Sequence, residues 1–534
     1  MRVLDCTLRD GGYCNEWHFG ENNIKKIIEG LTESGVNIIE CGFLTNKIPH
    51  NSDITKFNHI EELTKFIPKN HEGKIYCCMI NYGEYNLADI RECDNSSIDA
   101  IRVAFHRKDM IAALDFCRGV KEKGYKCFVQ AMVSLNYSDE EFLELIRRVN
   151  AINPYAFYIV DSFGTMKRKE LIRLFYTVEH SLNDNIAIGW HSHNNMQLSY
   201  SNAQALADIH TKRDVIIDSS IHGMGRGAGN LNTELFLDYL NENFSTNYYL
   251  KPILIIIDEI INNFYERNHW GYSLPNYLSA RHNVHPNYAR YFSEKQTMTF
   301  ENMDEIFEMM DENRRVAFNE KYAEELYIRY MSRGEIFLEH ESDLKEALKM
   351  KKVLLIAPGK SVADEKQKII NFVESPNVCS ISINYDYPFA ETDFIFISNI
   401  RRYRGIDESK RSKCIATSNI SSTRVYLRTD YKKLLGNEKN TYDNAGIMAI
   451  RFLRSFGVKE VYLAGFDGYS HDIDENYIND DMTLVIRRAV ADARNEAMKK
   501  ALLSLSESIK IIFVTSTRYA PKTRGGGDNS SHLQ

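Results

Sequence analysis

The stretch Lys126-Cys127-Phe128-Val129-Gln130-Ala131-Met132-Val133 is a short apolar run of β character. Downstream, Ser138-Asp139-Glu140-Glu141 has the form of a capping box, a hydroxyl followed three residues later by a carboxylate. Phe142, Leu145, Ile146 and Val149 then recur at spacings of three and four, the period of a helix with one buried face. Ala156-Phe157-Tyr158-Ile159-Val160-Asp161 is a second buried strand. The whole reads as one strand–helix–strand unit, whose connection sets its two strands parallel.

The alternation continues in both directions. Val3–Thr7, Asn37–Phe43, Lys74–Ile80 and Ala100–Ala104 precede this unit as strand candidates, and Ile186–His191 and Val215–His222 follow it. The helix after the first strand carries Ile24, Ile27, Ile28 and Leu31 and closes at Gly35. Eight such units in about 240 residues fit a closed (β/α)8 barrel, and a doubly wound open sheet is the rival. In a barrel, functional residues collect where strands end. Asp10 follows the first strand, Cys41-Gly42-Phe43 ends the second, and Arg102 and His106 lie in or after the fourth. Gln130 lies in the fifth, Asp161-Ser162 ends the sixth, and His191 and His193 end the seventh. A glycine-rich loop, Gly223 to Asn230, follows the eighth. It comes after the last strand, so it is no dinucleotide fingerprint, and its glycines allow close backbone approach.

Residues 246–345 are rich in Tyr, Asn, Glu and Met. Leu254, Ile257, Ile260, Ile261 and Phe264 have helical spacing, and His269 to Pro275 breaks it. A helical extension packed on the barrel is expected there. From residue 350 a third unit begins, with strands Lys352–Ala357, Cys379–Asn384, Phe394–Ile397, Glu460–Ala464 and Lys510–Thr515 and a helix Ile447–Phe456. This predicts an α/β Rossmann-like domain over 350–519, after a barrel over 1–245. Ser361 with Asp364 predicts a capped helix start. Pro358-Gly359-Lys360-Ser361 lacks the spacing of a P-loop, though a strand, a turn and a helix start can receive a phosphate. The tail 520–534 is expected to be disordered.

Bulk properties narrow the function. The chain has 534 residues, 43% hydrophobic and 26% charged, with net charge −7. There is no long basic block, which argues against nucleic acid as a partner. Ile253 to Ile257 and Val353 to Ala357 are too short to span a membrane. The N-terminus enters a strand at Arg2-Val3-Leu4 without a signal-peptide core, so a cytoplasmic protein is expected. Ten cysteines include no C-x-x-C, and buried reduced thiols are the reading.

Trp190-His191-Ser192-His193-Asn194-Asn195 carries the chemistry. Residues two apart on a strand share a face, so one cation can take both imidazoles. Asp10 adds an oxygen, and Arg9 stands beside it. Mixed carboxylate and imidazole donors suit a divalent ion, Mn²⁺ or Mg²⁺ first, and an anionic carbonyl substrate.

Asp5-Cys6-Thr7-Leu8-Arg9-Asp10-Gly11-Gly12 resembles the signature strand of the metal-dependent aldolase and Claisen-condensing barrels. That superfamily includes 4-hydroxy-2-oxoacid aldolases, hydroxymethylglutaryl-CoA lyase, and isopropylmalate and homocitrate synthases. His191-Ser192-His193-Asn194 is similar to its second motif, and Gly223 to Glu234 to its third. Val160 to Gly164 and Glu40-Cys41-Gly42 resemble the ends of its strands six and two. The resemblance implies that Asp10, His191 and His193 bind the metal, joined in some members by the Asn at position 230. It implies a 2-oxoacid held on the ion, with Arg9 donating to the oxygen of a pyruvate-type enolate. Pyruvate aldolases carry a His three positions after the motif Asp. This chain has Tyr13 there, so the nearby His18, Tyr13 and a metal-bound water are the candidates for proton transfer.

The expected activity is therefore a carbon–carbon lyase or aldolase on a 2-oxoacid and an aldehyde, in a homo-oligomer. An acyl-CoA Claisen-type lyase or synthase is the first alternative. The C-terminal domain loosely resembles Rossmann-like domains of sialyltransferase-type polysaccharide proteins, which implies either a nucleotide sugar as a partner there or a degenerate partner or assembly domain. An inactive barrel fused to such a domain, working in surface-glycan biosynthesis, is the second alternative.

Overall fold

The computed structural model describes all residues except 50, 72, 350, 473–474, 479–481, 483–487, 521–531 and 534. The chain divides into two units, one of Met1–Ala289 with Asp311–Phe318, the other of Arg290–Met310 with Asn319–Gln534.

The first unit is the barrel. Its strands are β1 (Arg2–Asp5), β2 (Ile38–Leu44), β3 (Ile75–Asn81), β4 (Ala100–Phe105), β5 (Lys126–Ala131), β6 (Ala156–Asp161), β7 (Ala187–Ser192) and β8 (Val215–Ser219). Each pairs in parallel with the next, and β1 pairs with both β2 and β8, which closes the ring. A two-residue strand, Lys56–Phe57, adds to the free edge of β2's C-terminal end. The helices form as their apolar spacing predicts. Glu21–Glu33 buries Ile24, Ile27, Ile28 and Leu31. Asp139–Ile152 starts at the Ser138 capping box and buries Phe142, Leu145, Ile146 and Val149. The period of two splits each strand between two cores. Leu4, Ile38, Cys77, Ala100, Phe128, Ala156, Ala187 and Ile216 fill the inside of the barrel, while Val3, Ile39, Cys78, Ile101 and Val129 face the helices. Tyr158 fits inside because residue 189 is glycine, since a Cβ there would lie 2.2 Å from the Tyr158 ring.

The helical extension expected over 246–345 is split. Lys251–Ile256, a π-turn at Ile257–Ile261 and Asn262–Arg267 form one run belonging to the barrel unit, with Ile253, Ile256, Ile260 and Ile261 buried. Phe300–Glu308, Glu320–Met331 and Glu341–Leu348 belong to the second unit instead. The cause is a buried polar knot. Asp443 accepts hydrogen bonds from the Thr297 hydroxyl (2.6 Å) and from Tyr327 (3.1 Å), and Tyr431 joins them at 2.6 Å from each hydroxyl. Apolar spacing cannot reveal such long-range polar pairing.

The second unit holds β9 (Lys352–Ile356), β10 (Val378–Ile383), β11 (Phe394–Ile397), β12 (Cys414–Thr417), β13 (Leu427–Thr429), β14 (Glu460–Ala464), β15 (Lys510–Phe513) and β16 (His532–Leu533). The sheet order is β13-β12-β11-β10-β9-β14-β15-β16. All pairs are parallel except β15 with β16. The order reverses between β9 and β14, the topological switch point of a doubly wound sheet. β12 and β13, three or four residues long, escaped the sequence reading. Of the tail expected to be disordered, 521–531 and 534 lie outside the described residues, while His532–Leu533 pairs with β15. No helix among the described residues is long and apolar enough to cross a membrane.

Candidate metal centre

Alternation along the strands turns Glu40 of β2, Arg102 of β4, His191 of β7 and Asp218 of β8 inward, one or two steps beyond the apolar floor. All four are buried. Asp10 arrives differently. β1 stops at Asp5, and the chain makes a helical turn over Thr7–Asp10, with the Cys6 carbonyl accepting from the amides of Arg9 (3.1 Å) and Asp10 (2.8 Å).

These residues form one charged chain. Arg102 pairs with Glu40 at 2.8 Å and with Asp218. Arg9 donates through Nε to the same Glu40 oxygen at 2.8 Å and pairs through Nη1 with Asp10. His191 Nδ1 lies 2.9 Å from Asp218 Oδ2, and its Nε2 lies 3.5 Å from Asp10 Oδ2. His193 Nε2 is 3.9 Å from that same Asp10 oxygen. One donor atom each from Asp10, His191 and His193 falls within 4.8 Å of the others. With its Nδ1 proton hydrogen-bonded to Asp218, His191 would offer its Nε2 lone pair to a metal ion beside Asp10, the usual carboxylate–histidine support of a metal ligand.

Asn230 comes in from the glycine-rich loop. A Cβ at residue 225 would lie 2.3 Å from Asn230 Nδ2 and 3.2 Å from Asp10 Oδ1, so glycine there lets the loop close over the carboxylate. Asn230 and His193 are bridged through their backbones. Asn230 Oδ1, His193 Nδ1 and Arg9 Nη2 are buried and have no hydrogen-bond partner. A buried polar atom left so costs about 1–3 kcal/mol unless a ligand takes it. Oxygen and imidazole donors with an orphaned amide oxygen fit a divalent cation.

The electrostatics agree. Burial opposes charge on Asp10, yet Arg9, His193 and His191 hold it well below the usual carboxylate range. Burial works against a charged His191 too, but Asp10 and Asp218 outweigh it and raise its value. Burial, with Arg226 nearby, pulls His193 down to about 3, so it stands as a neutral ligand. Asp161 at the end of β6 is pushed up to about 6 by burial, against backbone donors from Thr165 and Met166.

The two side-chain candidates for proton transfer part company. Glu16 and Trp17 take left-handed conformations (φ 56° and 63°). That bend folds Trp17 inward, where its indole donates to the Arg9 carbonyl at 2.8 Å. It leaves His18 exposed, bridged through its backbone to Ile54 and outside the wall of the neighbouring cavity. Tyr13 does line that cavity. The residue is 41% exposed, and desolvation of the part against the wall, partly offset by Arg226, raises its phenol above its usual value.

The cavity measures about 240 Å³ and its wall includes Tyr13, His106, Ser162, Phe163, Arg226 and His285. It adjoins the three ligand candidates through Arg226, whose amide donates to Asp10 Oδ1 at 3.2 Å and whose side chain lines the wall. Of the supporting charges, Arg102 and Glu40 were placed at strand ends by the sequence, and Asp218 was missed. Asp218 stands alone among apolar residues in Val215-Ile216-Ile217-Asp218, a pattern that marks a buried charge needing a partner. His285 gives no local signal, because it reaches the barrel mouth from beyond the eighth strand.

The turn at Ser361 differs from expectation as well. The short helix Ser361–Asp364 has no side-chain cap of its own. Asp467 supplies one from the far side of the switch point, accepting from the Ser361 amide at 2.7 Å and from its hydroxyl. The turn that could receive a phosphate carries the protein's own carboxylate.

Residues 1–256 match the family model described as HMGL-like. A 4-hydroxy-2-oxovalerate aldolase of Geobacillus genomosp. 3 is 27% identical over 246 residues, 45% of this chain and 70% of that protein. One of Bacillus cereus is 24% identical over 245 residues, with the same coverage of 45% and 70%. Among solved structures, the N-terminal domain of a candidate aldolase from Bacteroides vulgatus has a TM-score of 0.49 at 27% identity, over 56% of this chain and 98% of that one. The stretch that matches the HMGL-like family model, residues 1–256, is the stretch that holds the (β/α)8 barrel.

Proposed function

We propose that the barrel catalyses reversible aldol chemistry, joining a 2-oxoacid such as pyruvate to an aldehyde and cleaving the 4-hydroxy-2-oxoacid. The observation that carries this reading is the convergence of Asp10, His191 and His193, with the unpaired Nη2 of Arg9 buried beside them. Bound there with Asn230, Mn²⁺ or Mg²⁺ would supply Lewis acidity toward the keto oxygen of the 2-oxoacid.

The chain's own residues do the rest. Arg9 is held by Glu40 and Asp10, which fix its guanidinium and leave Nη2 to donate to the oxygen where charge builds. Asp218 and Arg102 keep His191 in the tautomer that faces Asp10. Tyr13, protonated at neutral pH, stands at the cavity wall to donate to the aldehyde oxygen in the synthetic direction. Low identity to named aldolases supports the reaction class more than any one substrate.

The test is solvent exchange. With Mg²⁺, the methyl protons of pyruvate exchange with D₂O in the presence of the full chain, and chelation stops the exchange. No exchange with any divalent ion, or turnover confined to CoA thioesters, overturns the reading.

A further inference from the structure

Resting on the aldol reading, we propose that the aldehyde partner of this barrel carries an anionic group of its own, a carboxylate or a phosphate, seated between Arg226 and His285 in the cavity beside the metal centre. Arg226 is half-buried on the cavity wall. Its guanidinium donates once, to the Ser162 carbonyl at 3.1 Å, and lies 5.5 Å from the Tyr13 ring centre. Among the described residues no carboxylate pairs with its side chain. A guanidinium has five N–H donors, so most of its capacity faces the cavity unspent. The chain keeps most of its other inward arginines paired: Arg9 and Arg102 each hold two carboxylates.

His285 supplies the second donor. The amide of Asn287 donates to His285 Nδ1 at 3.2 Å, so in the neutral ring the proton sits on Nε2. Its ring packs edge-on to Phe163 at 5.6 Å, and both residues line the cavity. Burial first, then Arg226 and His106, pull His285 down to about 3, so it stays neutral and remains a donor across the working pH range. A cation and an N–H on one cavity wall select for negative charge. Of the two acidic residues on the wall, Glu84 is engaged by Lys47 at 3.3 Å and by Asn81 at 3.4 Å, and Asp109 stands beside His106, where it partly offsets the burial that lowers that imidazole.

The location fits the chemistry. Arg226 joins the two halves of the site, its amide on Asp10 and its side chain in the cavity. A 2-oxoacid at the metal centre therefore meets its aldehyde from the Arg226 side. In the joining step C3 of the 2-oxoacid loses a proton and bonds the aldehyde carbon, whose oxygen gains a proton. The far end of the aldehyde is left in the cavity, where its charge is read.

The experiment compares kcat/KM of the full chain for pyruvate with acetaldehyde, propanal, glyoxylate, succinic semialdehyde and glyceraldehyde 3-phosphate. The charged aldehydes should exceed the neutral ones at least tenfold. A preference for the carboxylated pair or for the phosphate supports the proposal and says which anion is read. Arg226→Gln should cut the charged-to-neutral ratio tenfold or more, Arg226→Lys should restore part of it, and His285→Phe should lower it less. Equal use of charged and neutral aldehydes by the unaltered protein overturns the proposal, as does a ratio untouched by Arg226→Gln. If Arg226→Gln does not fold, the ratio of the unaltered protein and of Arg226→Lys decides. Loss of pyruvate exchange in the unaltered protein would bring down the aldol reading and this proposal together; exchange without charge preference brings down this proposal alone.

Discussion

Two places in this chain bring polar residues to the C-terminal ends of parallel strands, and they treat them in opposite ways. At the barrel mouth, Asn230 Oδ1, His193 Nδ1 and Arg9 Nη2 are buried without partners. At the switch point of the second sheet, Asp467 takes the Ser361 amide and hydroxyl, and Thr515 meets both the Ser361 hydroxyl (2.8 Å) and the Gly465 amide (2.9 Å). A Cβ at residue 359 would lie 2.6 Å from the Asp467 carboxylate, so no gap is left between turn and cap. Both arrangements follow from the same fold rule, yet only one leaves buried donors and acceptors waiting. Single unpaired groups occur elsewhere in the chain, but at the barrel mouth three of them gather beside Asp10 and His191, where one ligand could satisfy groups that cost about 1–3 kcal/mol each while unpaired.

The sharpest way to break this contrast is to remove a barrel ligand. Purified chain should retain about one divalent ion, and His191→Ala should lose it. Several kcal/mol of charge stabilisation would go with the ion, so pyruvate exchange should fall on the order of 10³-fold. Elemental analysis and the exchange rate measure the two independently. Activity that survives without the ion would mean the orphaned atoms serve some other purpose.

Next in size is the charge chain beneath the ligands. Arg102→Leu leaves Glu40 with Arg9 alone and strips Asp218 of its buried cation. Breaking a buried pair from one side costs about 3–5 kcal/mol. Trp17, Trp190 and Trp270, the chain's three tryptophans, all lie in the barrel unit, so indole fluorescence follows that unit during urea unfolding. A shift below about 1 kcal/mol would show that water or relaxation replaces the pairing, and the network would not be the support described.

Legibility in the sequence followed the range of the interaction. β6, β11 and β14 begin and end where the apolar runs do, and the Ser138 box starts its helix as written. Asp10, His191 and His193 were readable because strand period and chain order place them at neighbouring mouths. What stayed hidden depends on distant partners. Asp467 caps Ser361 across 106 positions, Tyr327 and Tyr431 meet across 104, and no local pattern encodes either. His18 follows two left-handed residues that the sequence near Asp10 did not announce, and it stands exposed and outside the cavity wall.

A smaller effect tests whether burial alone, away from the ligands, leaves a titration signature. Asp5 at the end of β1 is buried and pushed up to about 6, with Thr233 and Thr7 hydrogen bonds only partly offsetting the burial. Its ordinary value is 3.8. An acid that binds its proton more tightly when folded stabilises the fold at low pH, and that contribution is lost as pH rises from about 4 to 6. The loss is on the order of 2–3 kcal/mol at about 1.4 kcal/mol per unit. Asp5→Asn keeps an acceptor for the Thr7 amide and should flatten this slope, gaining on the unaltered barrel at pH 7. Parallel pH profiles for the two proteins, followed by indole fluorescence, would refute it.

The smallest expected effect lies at the filled site. Asp467→Ala removes the acceptor of the Ser361 amide and hydroxyl, and Thr515 can still take the hydroxyl. The cost should stay near 1 kcal/mol, the ordinary worth of a lost hydrogen bond with a surviving neighbour. It should show in far-UV circular dichroism of the second sheet and leave indole fluorescence of the barrel unmoved. Pyruvate exchange should remain within about twofold of the unaltered chain, since the partner of the Asp467 carboxylate, Ser361, belongs to its own unit. A large loss of exchange on Asp467→Ala would erase the distinction drawn here, because a group whose bonds are all made within its own sheet would then govern chemistry at the other.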